Sequence, residues 1–464
     1  MDTPPPTTGA PRAQSLFRNP VVIAGALITT ISALLFFVGF FVDLFGLHTN
    51  PYLGIVFFIA IPSAFIVGLL LIPIGLWLER RRRHQGLPPS LREWPRLDLN
   101  RDRVRTIVFA VLVLTPANLM IVGMASYKGV EYMDSVGFCG QVCHEVMEPE
   151  FVAYQFGPHA RVKCVDCHIG PGADWFVKSK LSGARQVVAV LLASHPRPIP
   201  TPVHDLRPAR ETCEQCHWPA KFHGDKVEMF REYADDEANT ESVTTVRLRI
   251  GGIDMAGNPR GIHWHVAEEN AIEYIALDAA RQEIGYVRLV EADGEVTEFR
   301  APGVTDAQLA AGERRGMDCV DCHNRPSHTF ARSAERAINE LLGAGGVPLT
   351  LPFVRREGLQ AITGEYGSQD EAFAAIGARL RGFYQAEYPE VWAGQQADVE
   401  RAVLSLNDLY RRNVFPSMKV TWGLHPDNRG HMEFPGCFRC HTDEHATKDG
   451  RVIRQDCDLC HDIE

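Results

Sequence analysis

All twelve cysteines of this 464-residue chain fall in six C-x(2–3)-C-H motifs, with none left over. The motifs are Cys139/Cys143/His144, Cys164/Cys167/His168, Cys213/Cys216/His217, Cys319/Cys322/His323, Cys437/Cys440/His441 and Cys457/Cys460/His461. C-x-x-C-H is the attachment signature of c-type haem. The two thiols hold the porphyrin through thioethers, and the adjacent histidine ligates the iron. A disulfide framework requires no histidine behind every second cysteine. Zinc ribbons bring their C-x-x-C units together at short, regular distances, whereas the motif starts here are 25, 49, 106, 118 and 20 residues apart. A thioredoxin-like dithiol occurs once, beside a βαβ pattern. Six covalently bound haem c groups are the reading that accounts for all six histidines.

The first 127 residues are a different kind of sequence. Val21–Val42, Tyr52–Leu78 and Ile107–Ser126 are apolar and long enough to cross a bilayer, which takes about 20 helical residues. A buried soluble helix is the competing reading. It is weak for the first two, whose cores carry no charge, and stronger for the third, which contains Pro116 and Asn118. Neighbouring helices can satisfy backbone groups freed by Pro62, Pro73 and Pro116. With no small-residue cleavage site behind it, the first segment reads as a retained anchor and not as a removed signal peptide. The connection after the second segment holds Arg80–Arg83, Arg92, Arg96, Arg101, Arg103 and Arg105, and such a loop stays in the cytoplasm. That puts the N-terminus inside, the turn at His48–Asn50 outside, and everything beyond Tyr127 in the periplasm of a bacterial inner membrane. Covalent haem attachment is expected on that same side.

Charge divides the chain at the same place. Residues 1–127 carry 11 Lys+Arg and 6 Asp+Glu, whereas residues 128–464 carry 36 and 51. An outer domain that acidic excludes nucleic acid as a partner and leaves room for a basic protein. Residues 128–225 hold three motifs in under a hundred residues, so the porphyrins must form much of that core. Residues 226–316 lack a motif. Val243–Ile250, Ile262–Val266, Ala271–Leu277, Ile284–Val290 and Glu295–Arg300 read there as short strands, with turns at Gly251–Gly252, Gly257–Asn258–Pro259 and Asp293–Gly294. Residues 331–342 and 369–413 are helix-like, and the last motifs close segment 317–464. The expected fold is a membrane anchor of three transmembrane α-helices plus a periplasmic multihaem domain, mostly α-helical and irregular with a small antiparallel β insert.

Several strings resemble the NapC/NirT family of membrane-anchored cytochromes c. They are NPYLGI at Asn50–Ile55, GLLLIPIGLWLERRR at Gly68–Arg82, CGQVCHEVMEPE at Cys139–Glu150, HARVKCVDCHIGPGADWFVKSKLSG at His159–Gly183 and LRPARETCEQCHWPAKFHGD at Leu206–Asp225. GCFRCHTDEH at Gly436–His445 looks like the ending of longer members. The resemblance implies oxidation of quinol (menaquinol is the first choice) at the outer membrane face. Electrons would then pass through the haems to a periplasmic cytochrome or reductase, in anaerobic or extracellular respiration. With three apolar segments and six motifs, the chain resembles a larger variety than the members with one helix and four haems.

The first motif begins twelve residues after Tyr127, which holds its haem near the headgroup layer. Quinol oxidation releases protons as well as electrons, so a base must stand nearby. Asp174, Lys178 and Lys180 are the candidates. The resemblance implies that a Lys and an Asp after the second motif line the quinol pocket, with Lys180 binding quinol oxygen and Asp174 accepting the proton. Lysines at a membrane surface also simply contact lipid phosphate. Met147 follows His144 by three residues. The resemblance makes it a candidate ligand of the first haem, where methionine raises the potential, and packing against porphyrin is the alternative. Among the remaining histidines, His159, His328, His445, His431 and His223 are the candidate second iron ligands, together with His265, one of the pair His263/His265 on a predicted strand. His195, His204 and His425 are weaker. Three other readings compete: a terminal reductase with its own substrate-binding haem; a haem-delivery or assembly subunit, for which six covalent attachments are an odd design; and reverse flow that reduces quinone.

Overall fold

The computed structural model describes residues 19–44, 60–88, 90, 98–142, 144–170, 172–203, 206–218, 221–252, 260–267 and 270–463. The His48–Asn50 turn, the start of the second apolar stretch, Cys143, His204 and the Gly257–Asn258–Pro259 turn lie outside the described residues, as do the side chains of His144 and Asp174. The chain divides into two compact units, Met1–Glu131 with Pro171–Leu181 and Tyr132–Gly170 with Ser182–Glu464.

The first unit is built on helices α1 (Pro20–Leu44), α2 (Ile61–His84) and α3 (Asp102–Met133). Glycines let α1 and α2 pack as an antiparallel pair. A Cβ on Gly25 would stand 2.8 Å from the Gly68 carbonyl oxygen, and one on Gly75 would stand 2.7 Å from Val22. Small residues are how helices approach closely where no water drives them together. A buried polar lock closes one end of the pair: the fully buried Glu79 accepts hydrogen bonds from Asn19 Nδ2 (3.1 Å) and Ser90 Oγ (2.6 Å). The outward faces are apolar, with Leu34, Leu70, Trp77, Phe109, Leu112 and Met120 all exposed. Among the described residues, α2 is the one helix that is long and apolar enough to cross a membrane, and the apolar run described in α1, Pro20–Phe36, is shorter. Helix α3 runs past the expected end at Ser126 to Met133.

The second unit begins, within its helical part, with α4 (His144–Gln155) and takes in the end of α5 (Ala173–Leu191). Its sheets are both antiparallel. Strands β1 (Gly224–Tyr233) and β2 (Glu241–Gly251) form a long hairpin. Strands β3 (Ala271–Ala276), β4 (Ile284–Val290), β5 (Val296–Arg300) and β6 (Glu313–Gly316) make a sheet of order β5-β4-β3-β6. Its inner face packs Ile272, Tyr274, Ala276, Ile284 and Val287 against Trp264 and the Cys440 thiol, which ties the sheet to a motif. Ile262–Val266 is not the expected strand but a 3-10 turn. The alternation Ile-His-Trp-His-Val reads as period two, yet Gly261 starts the segment at φ 78° and His265 Nδ1 bonds the Ile262 carbonyl three residues back. That local bond favours a turn over a ladder.

Helices α6 (Ala334–Gly343), α7 (Val354–Ile362), α8 (Gln369–Glu387) and α9 (Gln396–Asn413) form a motif-free module around Leu351, Ile376, Leu380, Tyr384 and Ala402. Ser333 and Ser368 start α6 and α8 by accepting the N–H of Arg336 and Glu371, the standard N-cap device. The helix expected over 369–413 breaks where Pro389 follows Tyr388, because the residue before proline is pushed out of helical backbone. The chain ends in β7 (His461–Ile463), which joins the first hairpin beside β2.

Candidate haem sites

Five motifs, the second to the sixth, are each a single tight turn. Cys164–His168 and Cys319–Cys322 are one-turn helices, and Gly436–Arg439 and Cys457–Leu459 are 3-10 turns. The histidine N–H donates to the carbonyl of the first cysteine in His217 (2.8 Å), His323 (2.8 Å) and His441 (3.1 Å). That closure gathers both thiols and the imidazole of one motif within a single turn. The aspartate inside Cys-Val-Asp-Cys-His reinforces it: the Asp318 N–H donates to Asp321 Oδ2 (2.7 Å), and the buried Tyr274 hydroxyl donates to Asp321 Oδ1.

Cys216 is exposed; the short helix Ala209–Cys213 stops at the first cysteine of the third motif and leaves the second in the turn beyond it. Backbone and not packing fixes Cys216: its N–H donates to the Cys213 carbonyl at 3.1 Å, inside the same turn that the His217 N–H closes. The Cys167 thiol of the second motif lies close enough to feel Cys216 electrostatically, although burial is the larger cause of its raised pKa. An exposed thiol held by a rigid turn remains open to thioether formation with a group brought from outside the chain.

Five motif histidines face a second histidine across a gap of one size. Ring centres are 6.1 Å apart for His168–His328, 6.0 Å for His217–His159, 6.3 Å for His323–His263, 5.8 Å for His441–His265 and 6.0 Å for His461–His431. Two imidazoles bound on opposite sides of one metal have their centres about 6 Å apart, since each bond is about 2 Å long. The spacing is too wide for stacking contact and suits a ring-borne iron between them. The tautomers agree. Nδ1 meets a backbone carbonyl at 2.9 Å in His159 (Pro326), His328 (Glu150), His263 (Ile250) and His265 (Ile262), and at 2.7 Å in His441 (Arg454). A carbonyl can only accept, so the proton sits on Nδ1 and the Nε2 lone pair is left for a metal. No group of three or more His, Cys, Asp and Glu among the described residues forms a metal-ion cage. Opposed pairs beside paired thiols therefore fit haem c and not zinc.

The Glu150 carboxylate supports one pair from behind. Both its oxygens take a hydrogen bond from Arg325 Nη2 at 2.9 Å, and Oε2 lies 3.2 Å from His328 Nδ1. Burial alone pushes this carboxyl up, but the Arg325 guanidinium and its hydrogen bonds outweigh burial and hold it below the usual carboxylate range.

Other candidates are not brought to a motif histidine. His445 is 4% exposed and its ring is fully engaged: Nε2 donates to the Ile284 carbonyl (2.8 Å), and Nδ1 accepts from Thr442 Oγ1 (3.0 Å). With the proton on Nε2 and the lone pair used, His445 has nothing to offer iron. The exposed His223, at the foot of β1, has no ring contact with a motif histidine among the described residues. His425 is buried against Phe330, with burial as the main cause of a pKa lowered to about 4 and Arg325 adding to it. Met147 is half-buried on α4, one helical turn beyond His144.

The quinol candidates lie on α5. Asp174 and Lys178 are one turn apart and share a face, whereas Lys180 is six residues from Asp174 and does not share its face. The Lys178 ammonium sits 4.6 Å over the Trp175 ring. Lys180 is half-buried. His263 is the residue that sequence reasoning underweighted. The signal was there as His-x-His, but a strand reading allowed only one of the two to be chosen.

No family model and no solved structure matches the chain. Among curated proteins, it is 41% identical over 447 residues, 96% of this chain and 88% of the relative, to the cytochrome c-type protein ImcH of Geobacter sulfurreducens. Identity at that level across nearly the full length of both proteins means common descent and a common fold, and the chain belongs to the family of cytochromes c that contains ImcH.

Proposed function

We propose that this cytochrome c is a quinol dehydrogenase of the bacterial inner membrane, with six haem c groups that carry electrons to a periplasmic cytochrome or reductase. Five opposed histidine pairs at one common spacing are the observation that carries the reading. The motif cysteines hold the porphyrins, including Cys143, Cys216 and Cys457, and the motif histidines are one set of iron ligands. His328, His159 and His431 are the second ligands opposite His168, His217 and His461. Met147 and His144 are the candidates at the first site. Bound haem c supplies one-electron acceptors.

The chain's own residues do the rest. Three membrane helices, α1 to α3, anchor the protein with Arg80–Arg83 in the cytoplasm, which the exposed apolar faces of all three support. Lys180 binds a quinol oxygen as a charged donor that favours its deprotonation. Asp174 takes the released proton toward water. Lys178, drawn onto Trp175, has the weaker claim. The resemblance to NapC/NirT proteins across residues 139–183 supports menaquinol as the substrate class. Lys180→Ala should raise the KM for a menaquinol analogue, or abolish reduction, while the haem count stays at six. Unchanged quinol kinetics would reject the role.

The competing reading, a terminal reductase with its own substrate haem, needs an iron lacking a second ligand. Opposed histidines at five motifs favour electron transfer at those sites.

A further inference from the structure

We infer that the single 3-10 turn Ile262–Val266 supplies the second iron ligands of two haems at once, His263 to the fourth motif and His265 to the fifth. The inference rests on the haem reading above and goes beyond it. It assigns two ligands to one short segment and makes their geometry interdependent.

The two imidazoles are two residues apart on one turn, and each addresses a different motif. His263 faces His323 with ring planes 7° apart, and His265 faces His441 with planes 75° apart. Each ring is fixed by its own carbonyl, Ile250 for His263 and Ile262 for His265, so both Nε2 atoms are presented outward. Between them, Trp264 packs on the core of the β3/β4 sheet, and its carbonyl accepts from Asn270 Nδ2 at 2.9 Å. The turn begins where only glycine fits: φ at Gly261 is 78°, and a Cβ there would come 2.7 Å from the Arg249 carbonyl oxygen. The other ends of the two sites also adjoin. Arg439, between the fifth motif's cysteines, donates to the Asp321 carbonyl within the fourth (2.6 Å). Two motifs 118 residues apart in sequence are therefore held together on both sides.

The ring-plane angles give a spectroscopic signature. Near-parallel imidazoles on low-spin ferric haem give an ordinary rhombic electron paramagnetic resonance (EPR) signal. Near-perpendicular imidazoles give a large-gmax signal. The experiment takes the full-length holoprotein and the variants His263→Met and His265→Met, reading EPR, the methionine–iron charge-transfer band and haem count by intact mass. His263→Met should remove one rhombic component and His265→Met one large-gmax component, each with a new methionine–iron band and six haems retained. Trp264→Ala, which loosens the turn and leaves both ligands present, should broaden or shift both components together. The inference is overturned if either histidine variant keeps every component of the native spectrum, or if Trp264→Ala moves neither. Should a variant fail to accumulate, the native spectrum still decides, because high-spin iron at two of the five later haems would overturn it. A native haem count below six would instead defeat the haem reading on which this inference stands.

Discussion

The rule that a carbonyl-held Nδ1 marks a ligand, and a fully engaged ring does not, is tested most sharply by His445→Ala beside His328→Ala. Removing His445 leaves Thr442 Oγ1 with the Glu444 N–H as a partner, but it strands the Ile284 carbonyl. A buried carbonyl without a donor costs about 1–3 kcal/mol. The space left by a ring only 4% exposed adds about 1 kcal/mol or more. Together these come to about 2–4 kcal/mol, or a fall of about 3–6 °C in apparent Tm for a unit of this size. The visible spectrum should stay that of the native protein. His328→Ala should instead turn one low-spin haem high-spin, with all six still attached. Thermal melts read by circular dichroism, together with absorption and EPR spectra, separate the two outcomes. A high-spin haem in His445→Ala with no loss of Tm would refute the tautomer reasoning.

Three further outcomes follow from the geometry. In the native EPR spectrum, His431–His461 (26°) should contribute a rhombic component and His159–His217 (81°) a large-gmax one, with His168–His328 (58°) between them; a spectrum with one component type only would contradict this. Gly68→Ala puts a Cβ 2.5 Å from Thr29 Oγ1, whereas at Gly123 nothing lies within 4 Å. The first should cost about 1–3 kcal/mol of overpacking and lower Tm in detergent, and Gly123→Ala should not; equal melts would reject the close α1–α2 seam. Burial pushes the Asp427 carboxyl up, but hydrogen bonds from Arg429 and the charge of Arg332 outweigh it and hold the pKa below the usual range. A lowered folded pKa contributes stability that is complete above the ordinary value of about 3.9 and lost as pH falls through the lower folded value. Asp427→Asn should therefore flatten the acid limb of the stability profile below about pH 4, and an unchanged slope would count against the ion pairs.

The motifs were legible because covalent attachment fixes residue type and spacing locally, and one turn of backbone is enough to build the second to the sixth of them. The strands at 271–276 and 284–290 were legible too, as short runs rich in β-branched and aromatic residues. What the sequence could not yield was the partner of each motif histidine. His328 follows its own motif by five residues, yet its ring opposes His168, 160 positions away. His445, at similar local spacing from His441, turns into the sheet instead. Chain distance carries no information on that choice, which depends on which carbonyl receives the ring N–H. The turn at 262–266 was misread as a strand because period two and a 3-10 turn can share the same short pattern, and the deciding bond is a side chain to backbone. The strand at the sixth motif was hidden as well, because three residues hold no periodicity and pair only by reaching β2.

The whole account stands on porphyrin being attached at every motif. Intact mass of the mature chain extracted from membranes, with thiol alkylation alongside, tests this most directly. Six haem adducts and no alkylatable cysteine are the predicted result; fewer adducts, with free thiols at any motif whose histidine opposes another, would contradict it.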